Sequence, residues 1–491
     1  MIVQTVSGTV EGENLNGAYV FRGIPYAAPP VGRQRFKPPA PPQPWPGVRQ
    51  CKPFGPIAPQ KHNPQGFIPE LVQSEDCLNL NVWTPGAGDK LKPVMVYIHG
   101  GGFISGNGAE CDGFRYAAED GIVYVSINYR LGALGFLYLG GLLGKDYETS
   151  GNNGMLDIAA ALRWVQLNIT AFGGDPSRVT VIGNSAGAKC TATLYAMKSA
   201  QGLFHRAIAQ SGATQSIRDC QTANVTTLRL LEELGLSPAQ AHQLLELPAE
   251  KIIEAQSTIG SDTSRSLHMF GPVSDGHVIP VAPLASLTGS VDLPPLLIGT
   301  NEDEAAIFIQ DDPVLQSPAF ETLKRFFGAN AAVVWDAYGR YNQSMSSGDA
   351  WNKALTEHLY TIGAMQFAEA VATPGTSVWM YRLQCGGTLG AIHGYEGSLI
   401  HAALTRNPMS EMPINADPYA VTAENYALAD AMRKTWVAFI QSGDPNIHAL
   451  PAWPLYGSGQ ATMVLDKISC VRDDLPVPAG IGVPHQVWRM V

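Results

Sequence analysis

Five residues, Gly183-Asn184-Ser185-Ala186-Gly187, have the composition of a nucleophile held on a sharp turn. They follow the apolar run Val179–Ile182 and precede a helical segment, Ala186 to Met197. In that setting the chain must swing from strand to helix at the serine. Small neighbours let the two elements pack closely. The hydroxyl is then exposed at a helix N-terminus, where the dipole favours developing negative charge. The context carries this reading more than the pattern, because a chain with 51 glycines can produce G-x-S-x-G by chance. The chemistry it implies is attack of Ser185 on an acyl carbon.

A second glycine-rich stretch supplies what such an attack needs. His99-Gly100-Gly101-Gly102-Phe103 follows the apolar run Val94–Ile98. Glycines there let backbone N–H groups point into a cavity, where they can stabilise the alkoxide of a tetrahedral intermediate. The expected donors are the N–H groups of Gly101, Gly102 and Ala186, and His99 is read as a brace for the loop. A phosphate-binding loop is excluded by the lack of G-x-G-x-x-G and of a following Gly-Lys-Ser/Thr. A glycine loop of this kind upstream of G-x-S-x-G is the pairing expected of lipases and esterases.

These residues must be held by strands and helices. Val94–Ile98, Ile122–Tyr129, Val179–Ile182, Leu296–Ile298 and Val378–Leu383 are short runs rich in β-branched residues and without alternation. Such runs suit strands covered on both faces. Helical periodicity lies between them, at Gly154–Ile169, Ala186–Met197 and Glu424–Ile440. Alternating strands and helices predict an α/β fold with a mostly parallel central sheet and helices on both faces. Residues 220–258 read as a helical insertion, with Ser237-Pro238 and Leu247-Pro248 as start signals. No linker or repeat divides the chain, so residues 1–491 are expected to form a single domain.

Composition removes several function classes. Charged residues are 15% of the chain, below the roughly 25% usual for soluble proteins. Net charge is −10, and the 32 Lys and Arg form no basic stripe, so nucleic acid is not an expected partner. No apolar run reaches the roughly 18 residues needed to span a bilayer. The N-terminal residues carry no basic region and no apolar h-region, which predicts a cytoplasmic setting; a secreted one requires a signal removed beforehand. Seven cysteines without a CxxC argue against a disulfide framework or a zinc site.

The chain resembles the type-B carboxylesterase family, which includes bacterial para-nitrobenzyl esterases and cholinesterases. The resemblance runs through Phe21-Arg22-Gly23-Ile24-Pro25-Tyr26-Ala27, Ser74-Glu75-Asp76-Cys77-Leu78-Asn79-Leu80-Asn81-Val82-Trp83, His99–Phe103, Asn128-Tyr129-Arg130-Leu131-Gly132, the elbow and Gln210-Ser211-Gly212. It implies an α/β-hydrolase fold and completes the catalytic set. The family's acid matches Glu304 in Gly299-Thr300-Asn301-Glu302-Asp303-Glu304-Ala305. Its histidine matches His393 in Ile392-His393-Gly394-Tyr395-Glu396. Glu302, Asp303 and His401 are alternatives for these roles. The resemblance also implies structural ion pairs, Arg35 with Glu75 and Arg130 with Asp157. Ser211 is expected beside the acid or base. No metal or cofactor is implied.

Three positions depart from the family. Asn184 stands where the family usually has Glu, which removes a negative charge beside the nucleophile. Cys77 lacks its usual partner, since Ala58 occupies that position; Cys51 is a possible substitute, but a free Cys77 is expected, and the loop 60–74 is then left unstapled as a lid-like segment. That loop contains no Trp, which disfavours the cation–π recognition of a quaternary ammonium. Phe67, Ile68, Leu71, Phe103 and Asn184 are the candidate pocket residues.

The reading is a serine hydrolase acting through an acyl-enzyme on small to medium neutral esters, with a small-molecule ester as its only expected partner. A lipase, amidase or carbamate hydrolase of the same fold is the alternative. A non-catalytic adhesion protein of this family is disfavoured because Ser185, Glu304 and His393 all stand. Oligomeric state is not legible in the sequence.

Overall fold

The computed structural model describes residues 1–61, 71–260, 269–401, 419–478 and 480–482. Its centre is an eleven-stranded sheet. From one edge the strands run Cys470–Arg472, Thr462–Leu465, Val378–Leu383, Leu296–Asn301, Arg206–Gln210, Gly174–Asn184, Lys92–Ile98, Val123–Ile127, Asn79–Thr84, Tyr19–Pro25 and Glu13–Asn14. Every pairing from Thr462–Leu465 across to Val123–Ile127 is parallel. The pairings outside that block are antiparallel. The sheet is therefore mostly parallel, as the alternating pattern predicts.

Side chains on the strand Lys92–Ile98 show why these runs do not alternate in polarity. Val94, Val96 and Ile98 face one core, and Met95 and Tyr97 face the other. The first core contains residues of helices Asn153–Asn168 and Ala186–Ala196, and the second contains Met432, Trp436 and Phe439 of helix Tyr426–Ser442. A strand covered twice has no face that needs polar residues.

Parallel order puts the carboxyl ends of these strands on one edge, where open α/β sheets bind ligands. Lys92–Ile98 ends at His99, Gly174–Asn184 ends at Ser185, and Leu296–Asn301 ends three residues before Glu304. Val378–Leu383 leads to the loop that carries His393.

Residues 220–258 contain helix Cys220–Glu233, the 3₁₀ stretch Pro238–Leu245 and most of helix Ala249–Ile259. Helices Phe320–Phe327, Ala331–Tyr341 and Ser347–Thr356 surround a small core of their own that includes Phe326, Val334 and Trp351. The sequence reading marked no element there. Among the described residues no helix is long and apolar enough to cross a membrane.

Candidate active site

Ser185 sits at φ 58°, ψ −121°, a backbone conformation that non-glycine residues rarely hold. The elbow is fixed on both sides. Its N–H donates to the Gln210 carbonyl at 2.9 Å, and its carbonyl accepts from the Lys189 N–H at 3.0 Å. Glycine is required at 187: a Cβ there would lie 2.0 Å from the Ile98 carbonyl oxygen. The close strand–helix packing expected of the motif is thus a steric fact at this position.

The glycine loop lies against the same elbow. A Cβ on Gly100 would stand 3.2 Å from the Ser185 Cβ. Gly101, Gly102 and Phe103 all have positive φ, and a Cβ on Gly101 would meet the Ser105 carbonyl oxygen at 2.2 Å. Among the described residues the N–H groups of Gly101, Gly102 and Ala186 have no protein acceptor. His99 is buried, its ring stacked 4.4 Å from that of Tyr129 and its Nδ1 2.9 Å from the Gly100 oxygen. Burial pushes its pKa down to about 4, so it stays neutral and braces the loop.

The imidazole of His393 joins serine and carboxylate. Its Nε2 is 2.7 Å from Ser185 Oγ, and its Nδ1 is 2.6 Å from Glu304 Oε2. Glu304 is fully buried, and its other oxygen accepts from the Asn301 N–H at 2.8 Å. The rings of Tyr360 and Phe308 lie 4.5 Å and 5.2 Å from the imidazole. Tyr360 belongs to a π-helical turn, Glu357–Thr361.

The alternative residues are occupied elsewhere. Glu302 pairs with Arg382 at 3.2 Å. Asp303 accepts from the Asn352 amide at 2.9 Å. His401 is packed against Tyr97 and Tyr116, with its Nδ1 3.1 Å from the Gly397 oxygen. Ala305, where the family has glycine, is held at φ −80°, which alanine adopts without strain.

Glu396 is a functional-site residue that the sequence reading quoted without giving it a role. It is fully buried and collects the Ser211 hydroxyl, the Asn301 amide and, at 3.1 Å, the Asn184 amide. Burial first, and the charge of Glu304 second, push its pKa up to about 8. Asn184 is therefore turned toward Glu396. The amide donates to this carboxyl group, a hydrogen bond that an ionised glutamate at 184 could not supply. The signal was its place three residues after His393.

The other pocket candidates fare differently. Phe103 is fully buried and edge-on to Phe136 at 5.3 Å, with its carbonyl accepting from the Gly132 N–H. Its ring has no exposed surface. Phe67 and Ile68 lie outside the described residues, as does most of the loop 60–74. Leu71 is half-buried. At the start of that loop the Gln60 amide exchanges hydrogen bonds with Gly106, at 3.1 and 2.9 Å. Cys77 is buried and unbonded. Arg35 with Glu75 and Arg130 with Asp157 form ion pairs within the scaffold.

A mostly parallel sheet with a serine elbow, a glycine loop and a Ser–His–Glu chain at its carboxyl edge defines an α/β-hydrolase. The chain belongs to the carboxylesterase family, whose pattern matches residues 1–471. It is 36% identical to the para-nitrobenzyl esterase of Bacillus subtilis (strain 168), over 96% of each chain. It is 34% identical to the fumonisin B1 esterase of Sphingopyxis macrogoltabida, over 93% of this chain and 84% of that one. The carboxylesterase EST55 of Geobacillus stearothermophilus superposes with a TM-score of 0.85 at 36% identity, covering 96% of this chain and 98% of that one. The protein is accordingly a hydrolase of carboxylic esters.

Proposed function

We propose that Ser185, His393 and Glu304 are the catalytic triad and that the N–H groups of Gly101, Gly102 and Ala186 form the oxyanion hole. With Nδ1 protonated and donating to Glu304, Nε2 of His393 is free to accept the Ser185 proton as Oγ attacks the ester carbonyl. The carbonyl oxygen, now an alkoxide, is received by the three N–H groups. The imidazolium returns its proton to the departing alcohol, leaving an acyl-serine. Water, deprotonated by the same nitrogen, then releases the acid. Glu304 holds the tautomer and stabilises the imidazolium.

The observation that carries this reading is the unbroken chain from Ser185 Oγ through His393 to a buried Glu304, at 2.7 and 2.6 Å. Small to medium neutral esters are the expected substrates, because no carboxylate stands at position 184 to favour a cation. A cytoplasmic setting is supported by the sparse, odd number of cysteines. The test is a series of chromogenic esters of increasing acyl length. The Ser185→Ala variant is expected to lose roughly 10⁵- to 10⁶-fold in kcat on every member, and retained hydrolysis would reject the assignment.

A further inference from the structure

The glycine loop closes on itself just beyond its proposed donors. The Gly101 carbonyl accepts from the N–H groups of Ile104 and Ser105, each at 3.0 Å, and from Ser105 Oγ at 3.0 Å. Gly106 then runs back against the start of the turn. A Cβ there would collide with the His99 ring and stand 2.7 Å from the Gly100 carbonyl oxygen. In packing this close, a shift of Gly106 displaces or releases the backbone from which the Gly101 and Gly102 N–H groups project.

Gly106 is buried, so both of its backbone polar groups need partners inside the protein. Among the described residues both partners come from one side chain. Gln60 Oε1 accepts from the Gly106 N–H at 2.9 Å, and Gln60 Nε2 donates to the Gly106 carbonyl at 3.1 Å. The carboxamide exchanges two bonds with Gly106 as a residue of a neighbouring strand would.

Gln60 is itself fixed. Its Nε2 also donates to the Ala58 carbonyl at 3.1 Å, and its backbone N–H donates to Gln73 Oε1 at 2.9 Å. Two carbonyls and one N–H surround the carboxamide, which settles which end carries the nitrogen. Nearby, the Ile57 N–H donates to the Val72 carbonyl and the Ser74 N–H to the Ile57 carbonyl, both at 2.9 Å. Cys77 is free. Hydrogen bonds therefore join residues 57–60 to residues 72–74 where the family resemblance places a disulfide, and the Gln60 amide carries that tie on to the glycine loop.

We infer that Gln60 is a positioning residue for ester hydrolysis: its amide holds Gly106 so that the N–H groups of Gly101 and Gly102 stay aimed at the oxyanion. Gln60 acts through Gly106 and not on the reacting atoms. The inference rests on the assignment of those two glycines as oxyanion donors and adds the residue that sets them. Donors aimed at an alkoxide matter most once the alkoxide forms, so their loss falls on kcat more than on KM. A side chain serving stability alone would lower the Tm and leave the chemistry of the folded enzyme intact.

The test follows hydrolysis of p-nitrophenyl butyrate by the wild type, Gln60→Met and Gln60→Glu, with inhibition by 1,1,1-trifluorooctan-2-one and by octan-2-one. The fluorinated ketone reports on the oxyanion hole. Ser185 Oγ bonds to its carbonyl carbon, the serine proton passes to His393 Nε2, and the carbonyl π pair becomes an oxyanion. Gln60→Met keeps the length of the side chain and removes both hydrogen-bonding groups. It is expected to lose about 10- to 100-fold in kcat with KM changed by less than about threefold. The Ki of the fluorinated ketone should rise by the same factor as kcat/KM falls. Gln60→Glu keeps the acceptor for the Gly106 N–H but turns a carboxylate on the Gly106 carbonyl. Relative to the wild type at each pH, its loss should shrink as pH falls toward about 5 and the protonated carboxyl becomes a donor.

A folded Gln60→Met with kcat and Ki both within about twofold of the wild type overturns the inference and leaves the oxyanion assignment standing. So does a loss confined to KM or to the Tm. If Gln60→Met does not fold, Gln60→Glu decides: recovery at low pH supports the inference, and a loss that is absent or independent of pH overturns it. If the wild type binds the fluorinated ketone no more tightly than octan-2-one, the oxyanion assignment itself fails, and the inference with it.

Discussion

Around His393, both ring nitrogens and both neighbouring carboxylates have partners: Ser185, Glu304, Asn301, Ser211 and Asn184. Around Arg218, Nη2 and the hydroxyls of Thr214 and Ser216 are buried without a partner among the described residues, Nη1 has only the Met269 carbonyl, and the Lys189 ammonium stands over the ring of Tyr360. The side chains of both regions are largely buried. Groups that must hold one geometry during a reaction are tied by the protein itself. Groups that stay unpaired at such depth are destabilising.

The contrast can be broken first on its paired side. Glu304→Gln keeps the shape of the side chain but presents an amide to Nδ1. The amide favours the opposite tautomer, in which Nε2 carries the proton and cannot take one from Ser185. A fall of roughly 10⁴-fold in kcat is expected with little change in folding. A loss under about tenfold would mean that the Glu304–His393 bond is structural. Steady-state kinetics with circular dichroism checks this.

The unpaired side should respond in the opposite sense. Lys189→Met removes a charge that the folded state holds at a cost, so it should stabilise the apo-protein. The folded pKa of about 8 lies below the ordinary value of 10.5, so the folded state binds the proton less tightly than the unfolded state does. The destabilisation is fully present below pH 8 and fades as pH rises toward 10.5. The gain is about 3 kcal/mol at most, by converting the shift to free energy. Thermal melts of both proteins across that range should show a Tm difference that is largest at the low end. A variant less stable than the wild type throughout would mean that Lys189 is held by favourable internal contacts.

Much of the site was legible because its signals are local. The elbow and the glycine loop are each a few residues long, and each follows a strand whose apolar run is visible in the sequence, whereas Glu304 and His393 were matched only through the family resemblance. What was not legible depends on separation. Ser211 meets Glu396 across 185 positions, and Asn184 meets it across 212. No periodicity records such a pairing. Asn184 was therefore read as a missing charge, when its amide is a partner for a second carboxylate. For a related reason, the adjacency of Phe103 to the glycine loop says nothing about which way a residue at φ 65° turns its ring. Lys189 lies only four residues from Ser185, yet that it is buried without an acidic partner among the described residues becomes visible only once burial and contacts are known.

The central claim is that an acyl group passes through Ser185. The most direct measurement is to treat the wild type with an aryl organophosphonate and locate the adduct by peptide mass spectrometry. The account predicts one phosphonyl group per chain on Ser185, loss of ester hydrolysis in step with labelling, and no labelling of Ser185→Ala. An adduct on another residue, or full activity in a chain labelled at Ser185, would contradict it.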